Sequence, residues 1–188
     1  MTKILIAYGT VEGQTARIAQ YLANEIRSQG YEASPLNVER ASAPGPDGYD
    51  AVIVGASIHM GRHERNVLDY VRQNREALER LPSAFFSVSL AAHDDTESAR
   101  MEVEGYVQKF VQQTGWRPRQ VGFFAGALLY TQYGFFKRWI MKKIARDKRS
   151  PDTDTSRNYV YTDWNSVRRF AEEFLDTLVP QGALSARE

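Results

Sequence analysis

Residues 4–15 read ILIAYGTVEGQT, and no other stretch limits the fold as sharply. Ile4, Leu5 and Ile6 make a short apolar run with β-branched members, the pattern of a strand buried on both faces of a parallel sheet. Gly9 ends the run. A hydroxyl-bearing loop carries Thr10, Val11, Glu12, Gly13, Gln14 and Thr15, and Ile18, Leu22 and Ile26 then fall on one face of a helix. A strand that turns directly into a helix N-terminus presents unpaired backbone N–H groups and the positive end of a helix dipole. An anion is the ligand that suits such a place.

The side chains of the loop narrow that reading. A dinucleotide site would show G-x-G-x-x-G, and a nucleoside triphosphatase would show a Lys before the Thr; the loop has neither. Thr10 and Thr15 supply neutral hydroxyl donors, and no Lys or Arg lies between them. A phosphate held here has its charge met by dipoles and hydrogen bonds alone. The spacing Tyr8-x-Thr10-x-x-Gly13-x-Thr15-x-x-x-Ala19 resembles the flavodoxin signature, whose loop holds the phosphate of FMN. Ala7 departs from it, since a larger apolar residue is usual there. An ordinary strand-to-helix turn with a Thr cap is the plain alternative.

At 188 residues the chain suits a single domain with a substantial core, read here as residues 1–180 followed by a flexible tail, 181–188. No apolar run approaches the ~18 residues that span a bilayer. The chain enters a strand at once, so the expectation is no signal peptide and a cytoplasmic location. There is no Cys, which excludes disulfides, thiolate-held iron–sulfur clusters and Cys nucleophiles. Redox chemistry, if present, needs an organic cofactor or a metal held by other ligands. The net charge of +1 differs from the strongly acidic balance typical of flavodoxins that carry electrons.

Strands and helices alternate along the chain. Residues 32–37 read as a second strand and 51–55 (AVIVG) as a third; 64–81 read as a helix with Val67, Tyr70, Val71 and Leu78 inward. Residues 84–88 form a fourth strand. Residues 97–114 form a helix with Val103, Tyr106, Val107 and Phe110 on one side, and 121–125 open a fifth strand. The last helix, 163–178, turns Trp164, Val167, Phe170, Phe174 and Leu175 inward, with Asp163 or Thr162 as N-cap. The expected fold is a flavodoxin-like, doubly wound α/β domain with a five-stranded parallel sheet in the order 2-1-3-4-5. In that topology a ligand sits at the carboxyl ends of strands 1 and 3. Strand 1 ends in the hydroxyl loop. Strand 3 leads into Ser57, Ile58, His59, Met60 and Gly61, read as a loop offering backbone N–H groups to a flavin ring.

Residues 129–158 form an excess where about 2–6 connecting residues would suffice. They hold Tyr130, Tyr133, Phe135, Phe136 and Trp139 among Lys137, Arg138, Lys142, Lys143, Arg146, Lys148 and Arg149. Phe136, Trp139, Ile140 and Ile144 share a face at helical spacing, so 134–148 read as a basic amphipathic helix. Residues 159–161 then read as a short strand completing the fifth.

Other clusters have weaker functional readings. His59 and His63 stand four apart, but a Gly intervenes and no third ligand is in reach, so no metal site is expected. Asp94 with Asp95, and Asp152 with Asp154, suit turns better than acid–base pairs. Ser89, Leu90 and Ala91 follow strand 4, where flavodoxins usually set a Tyr or Trp against the ring; no aromatic is present there. The chain as a whole is not basic, so nucleic acid is not expected.

The chain resembles the short flavodoxin-type protoporphyrinogen oxidases of bacteria, the quinone-dependent protoporphyrinogen IX dehydrogenases. The resemblance runs from Lys3 to about Leu178. It rests on Gly13-Gln14-Thr15, Val54-Gly55-Ala56-Ser57-Ile58, Pro82-Ser83-Ala84-Phe85, Trp116-Arg117-Pro118, Ala125-Gly126-Ala127-Leu128-x-Tyr130, the basic aromatic insert and Tyr161-Thr162-Asp163-Trp164. Position 129 is Leu, where a basic residue would have suited a propionate. The resemblance implies six-electron oxidation of protoporphyrinogen IX to protoporphyrin IX in haem biosynthesis, with FMN as cofactor. It also implies that the electrons go to menaquinone or ubiquinone at the inner face of the cell membrane. FMN contacts are expected from Thr10, Val11, Glu12, Gly13, Gln14, Thr15, Ser57, Ile58, His59, Gly61, Ser89, Leu90 and Ala91. Tyr130, Arg138, Trp139 and Lys142 are the candidates for substrate or membrane contact, with an anionic lipid surface as partner. A homo-oligomer is compatible with the sequence, and no general base stands out. An electron-transfer flavodoxin and an NAD(P)H:quinone reductase are the alternatives.

Overall fold

The computed structural model describes residues 1–39, 43–129 and 158–179. The elements run β1 (Lys3–Tyr8), α1 (Gln14–Ser28), β2 (Glu32–Asn37), β3 (Ala51–His59), β4 (Arg62–His63), α2 (Arg65–Gln73), α3 (Arg75–Arg80) and β5 (Ser83–Ser89). A 3-10 turn (Ala91–His93), α4 (Glu97–Thr114), β6 (Gln120–Ala125), β7 (Ala127–Leu129), β8 (Asn158–Val160) and α5 (Trp164–Asp176) follow. The main sheet has the order β2-β1-β3-β5-β6, every neighbour parallel, with β4 folded antiparallel onto β3. This is the expected 2-1-3-4-5 once β4 is counted. The expected insert helix over 134–148, the insert residues Tyr130, Arg138, Trp139 and Lys142, and the tail lie outside the described residues.

Alternation along the strands builds two cores. Ile4, Ile6, Ile53, Phe86 and Phe124 face α1 and α5, where Ile18, Leu22, Ile26, Phe170 and Phe174 meet them. Leu5, Val52, Val54 and Phe85 face the other way, onto Val67, Val71, Leu78, Phe110 and Trp116. Phe85 stacks on Phe110 at 4.3 Å between centroids, and Trp116, fully buried, meets both edge-on. Burying an apolar side chain of this size contributes ~1.5–3 kcal/mol, and with both faces covered the carboxyl ends of the strands are left to carry ligands.

Three elements differ from expectation. The 64–81 helix is two helices broken at Asn74, whose backbone leaves the helical region at φ −109°, ψ 13°. Asn74 Nδ2 donates to Tyr70 O at 2.8 Å, the local side-chain bond that lets Asn compete with a helix. β3 does not stop at Gly55. It continues to His59 and turns back through Met60 (φ 50°) and Gly61 (φ 76°) into β4. Positive φ at both central residues is the geometry of a tight hairpin turn, and Gly61 adopts it without strain. Finally, residues 158–160 do not complete the fifth strand; they pair antiparallel with β7 in a separate two-stranded ribbon, Ala127 opposite Val160. The chain therefore leaves for residues 130–157 and returns from them side by side.

α5 begins where the sequence places it. Asp163 is the N-cap, its Oδ1 accepting from Asn165 N at 3.0 Å, and the Ser166 hydroxyl beside it holds the carboxyl below the usual range. Thr162 has a different task, taken up below.

Candidate functional site

The exits of β1, β3 and β5 line one edge of the sheet. Between them opens a cleft of about 390 Å³, its solvent-open mouth included. One wall is the first loop and the start of α1: Thr10, Val11, Glu12, Gln14 and Thr15. The opposite wall is the end of β3, with Ser57, Ile58 and His59, and Val88, Ser89 and Leu90 close it from β5. These residues were expected to meet, Val88 excepted. Gly126 and Ala127 also line the cleft. They were missed as site residues because nothing in their side chains carries chemistry; the signal was their place at the exit of the fifth strand.

Gly13, Gly61 and Ala91 do not line the cleft. Gly13 is the N-cap of α1 at φ 87°, a left-handed conformation that favours glycine, and its N–H donates to Thr10 Oγ1 at 2.8 Å. That bond closes the loop and leaves the Thr10 hydroxyl proton to donate elsewhere. Gly61 is used up in the hairpin turn, and Ala91 opens the 3-10 turn beyond Leu90.

Thr15 is 1% exposed, and its Oγ1 has no hydrogen-bond partner among the described residues. A buried hydroxyl left unpaired costs about 1–3 kcal/mol, so one at the first turn of a helix facing a cleft marks a donor waiting for an acceptor. The backbone N–H groups of that turn have no intrahelical partner either. Gln14 is equally buried. Its Nε2 donates to Thr162 Oγ1 at 2.9 Å, while its Oε1 has no partner among the described residues. Thr162 Oγ1 donates its own hydrogen bond to Ala125 O at 2.6 Å, and Tyr161 N donates to Gly126 O at 3.1 Å. The loop, the end of β6 and the chain returning through β8 are thereby pinned together. No Lys or Arg is among the described residues lining the cleft. This donor set, with hydroxyls and backbone N–H groups and no cation, suits the phosphate of a mononucleotide. Val11, Met60 and Leu90 are large apolar side chains left exposed at or beside the mouth, as a flat ring needs.

Of the remaining candidates, His63 and Asp94 have structural roles. His63 is buried, shares a 2.9 Å hydrogen bond with Ser87 Oγ, and packs edge-on against Phe85 and Phe110. Burial drives its pKa down to about 4, so it is a neutral core histidine. Asp94 Oδ1 accepts from Thr96 N at 3.0 Å, a turn bond, and Asp95 is exposed. Asp152 and Asp154 lie outside the described residues.

Comparison with known proteins agrees with this geometry. The family model described as a flavodoxin domain matches residues 5–156. The oxidised flavodoxin 1 of Bacillus cereus superposes with a TM-score of 0.55 at 15% identity, covering 95% of this chain and 100% of that one. A short-chain flavodoxin associated with a bacterial microcompartment gives 0.56 at 11%, with the same coverage. These likenesses are of fold. Among curated sequences, the protoporphyrinogen IX dehydrogenase (quinone) of Escherichia coli (strain K12) is 38% identical over 171 residues, 91% of this chain and 93% of that one. The chain belongs to the protoporphyrinogen IX dehydrogenase (quinone) family. That of Leishmania major is 36% identical over 174 residues, 92% of this chain and 74% of that one. The family is one of flavodoxin-domain oxidoreductases, and FMN is its cofactor. In this member, the orphaned Thr15 hydroxyl and the cation-free loop fit that group.

Proposed function

We propose that this chain oxidises protoporphyrinogen IX to protoporphyrin IX and delivers the electrons to a membrane quinone, a step of haem biosynthesis. The carrying observation is a 38% identity to a protoporphyrinogen IX dehydrogenase (quinone) sustained over 91% of the chain, insert region included. Bound FMN supplies the two-electron redox chemistry, so six electrons need three rounds.

The chain's own residues bind and orient. We assign Thr10, Thr15 and Gln14, with the first-turn N–H groups of α1, to the phosphate end, and Ser57, Ile58, His59, Ser89 and Leu90 to the ring end. Residues 1–180 act as one domain. The strands that flank residues 130–157 in the sequence pair with each other beside Gly126 and Ala127, both of which line the cleft. The aromatic and cationic composition of residues 130–157 suits a flat dianionic tetrapyrrole, and Tyr130, Arg138, Trp139 and Lys142 are the assigned contacts. The same cations suit anionic lipid at the inner face of the membrane, where a quinone is reached. No helix among the described residues is long and apolar enough to cross a membrane, in keeping with attachment at the surface.

The test is anaerobic turnover of the FMN-loaded protein with protoporphyrinogen IX and either menaquinone or ubiquinone, read by porphyrin fluorescence. Porphyrin formation that requires quinone is expected. Rapid quinone reduction by a reduced nicotinamide, with no porphyrin formed, would instead make the chain a nicotinamide:quinone reductase.

A further inference from the structure

Ser57 belongs to the cleft and also to a carboxyl behind it. Its Oγ–H donates to Glu64 Oε1, while Glu64 Oε2 is shielded from solvent with no hydrogen-bond partner among the described residues. Glu64 is the N-cap residue of α2 yet makes no side-chain cap bond, and it packs beside Gly9 at the exit of β1. An ionised carboxylate with one oxygen unpaired is poorly kept in such a place. Burial raises the Glu64 pKa; the Ser57 hydroxyl and the backbone N–H groups of Glu64 and Ser57 oppose the rise, and the carboxylate of Glu39 adds to it. Glu39 sits at the loop, its Oε1 accepting from Thr10 N at 3.3 Å. Of the other titratable groups nearby, Arg65 is exposed and pairs with Asp69, Arg62 is exposed, His63 bonds Ser87 and is neutral, and Glu12 and His59 line the cleft with Ser57.

Ser57 has one proton to give. Spent on a Glu64 carboxylate, it leaves only lone pairs for the cleft. If Glu64 carries a proton, the carboxyl O–H donates to Ser57 Oγ and the serine proton is free for an acceptor in the cleft. We propose that Glu64 is a positioning residue for the flavin nucleotide, acting through Ser57: binding turns the Ser57 hydroxyl toward an acceptor atom of the ligand and draws one proton from solvent onto Glu64. This rests on the FMN reading of the cleft. It makes FMN affinity fall as pH rises through the Glu64 titration range, by up to tenfold per pH unit.

The experiment titrates FMN by fluorescence quenching between pH 5 and 9 into the wild-type apoprotein, Glu64→Gln, Ser57→Ala and the double variant. A Gln carboxamide donates to Ser57 Oγ at every pH, so Glu64→Gln should hold its low-pH affinity throughout. FMN's own phosphate ionisation is common to all four proteins and cancels in their ratios. The ratio of wild-type Kd to Glu64→Gln Kd should grow tenfold or more with pH, and should be flat in the Ser57→Ala background. Repeating with riboflavin locates the acceptor: growth retained puts it on the ring or ribityl chain, growth lost puts it on the phosphate. A pH-independent ratio while both proteins bind FMN overturns the proposal. Absence of FMN binding by all four proteins overturns the cofactor reading beneath it. If Glu64→Gln does not fold, calorimetry at pH 8 in buffers of different ionisation enthalpy must show proton uptake in the wild type that Ser57→Ala lacks; equal exchange in both overturns it.

Discussion

Gln14 Nε2 and Thr162 Oγ1 share a 2.9 Å hydrogen bond between residues 148 positions apart, and through it the first loop of the protein is held by the strand that returns from the insert. Thr162 also donates to Ala125 O, so one hydroxyl joins the first loop, the exit of β6 and the start of α5. Thr162→Val removes both bonds and leaves two buried polar groups unpaired, at about 1–3 kcal/mol each. The variant should melt earlier and bind FMN about tenfold more weakly, because Gln14 loses its anchor. Calorimetry and FMN titration check the two effects; unchanged affinity would remove the link between insert and loop.

Thr15→Val separates binding from folding. In the apoprotein the lost hydroxyl had no partner among the described residues, so the variant should be as stable as wild type or more so, by about 1 kcal/mol. Its FMN affinity should drop at least tenfold. Loss of apoprotein stability together with unchanged FMN affinity would give Thr15 a purely structural role.

His63 sets an acid limit on stability. Its pKa is near 6.5 unfolded and about 4 folded, so below pH 6.5 the unfolded chain takes up a proton that the fold refuses. Stability from this group is complete above pH 6.5 and is lost as pH falls through about 4, to a total of about 3 kcal/mol. His63→Gln cannot titrate and can still pair with Ser87. Denaturant melts between pH 7 and 4 should show a shallower decline for the variant, and parallel declines would contradict the assignment.

The insert should be separable from the cofactor. Deleting residues 134–148 should leave FMN bound and abolish porphyrin formation, while liposome binding by the full chain should weaken with added salt, since exposed charges are screened within about 10 Å at 0.1 M. Undiminished turnover by the deletion variant, or salt-independent binding, would remove the corresponding role.

The sheet order was legible because each strand carries its own apolar run between helices of clear period, and the place of Thr10 and Thr15 at the cleft because a strand that turns straight into a helix ends at the ligand-bearing end of such a sheet. The α2/α3 break was not legible, since one Asn side chain bonding Tyr70 O outweighs an otherwise unbroken helical period. The continuation of β3 through Ser57–His59 was hidden for the opposite reason. Ser57 and His59 are polar and all three residues are half-buried; they are a strand because Ser57 pairs with Val88 and Ile58 and His59 pair with His63 and Arg62. Thr162 was legible only as a candidate cap and as part of a family motif, and Glu64 only as the start of a helix; their bonds to Gln14 and Ser57 are fixed by the tertiary fold alone. Val11 and Leu90 were expected at the cleft from their places after the first and fourth strands; that they stand exposed there, with Met60 exposed in the neighbouring hairpin turn, is a product of the fold.

The most direct measurement is a fluorescence titration of the purified apoprotein with FMN, followed by addition of protoporphyrinogen IX and a quinone to the same sample under anaerobic conditions. Saturable one-to-one binding with a Kd at or below about 1 μM, equivalent to about 8 kcal/mol, and then porphyrin emission that appears only when quinone is present, are the predicted results. FMN that stays free at micromolar protein, or a flavin-loaded protein that forms no porphyrin with either quinone, would contradict the assignment.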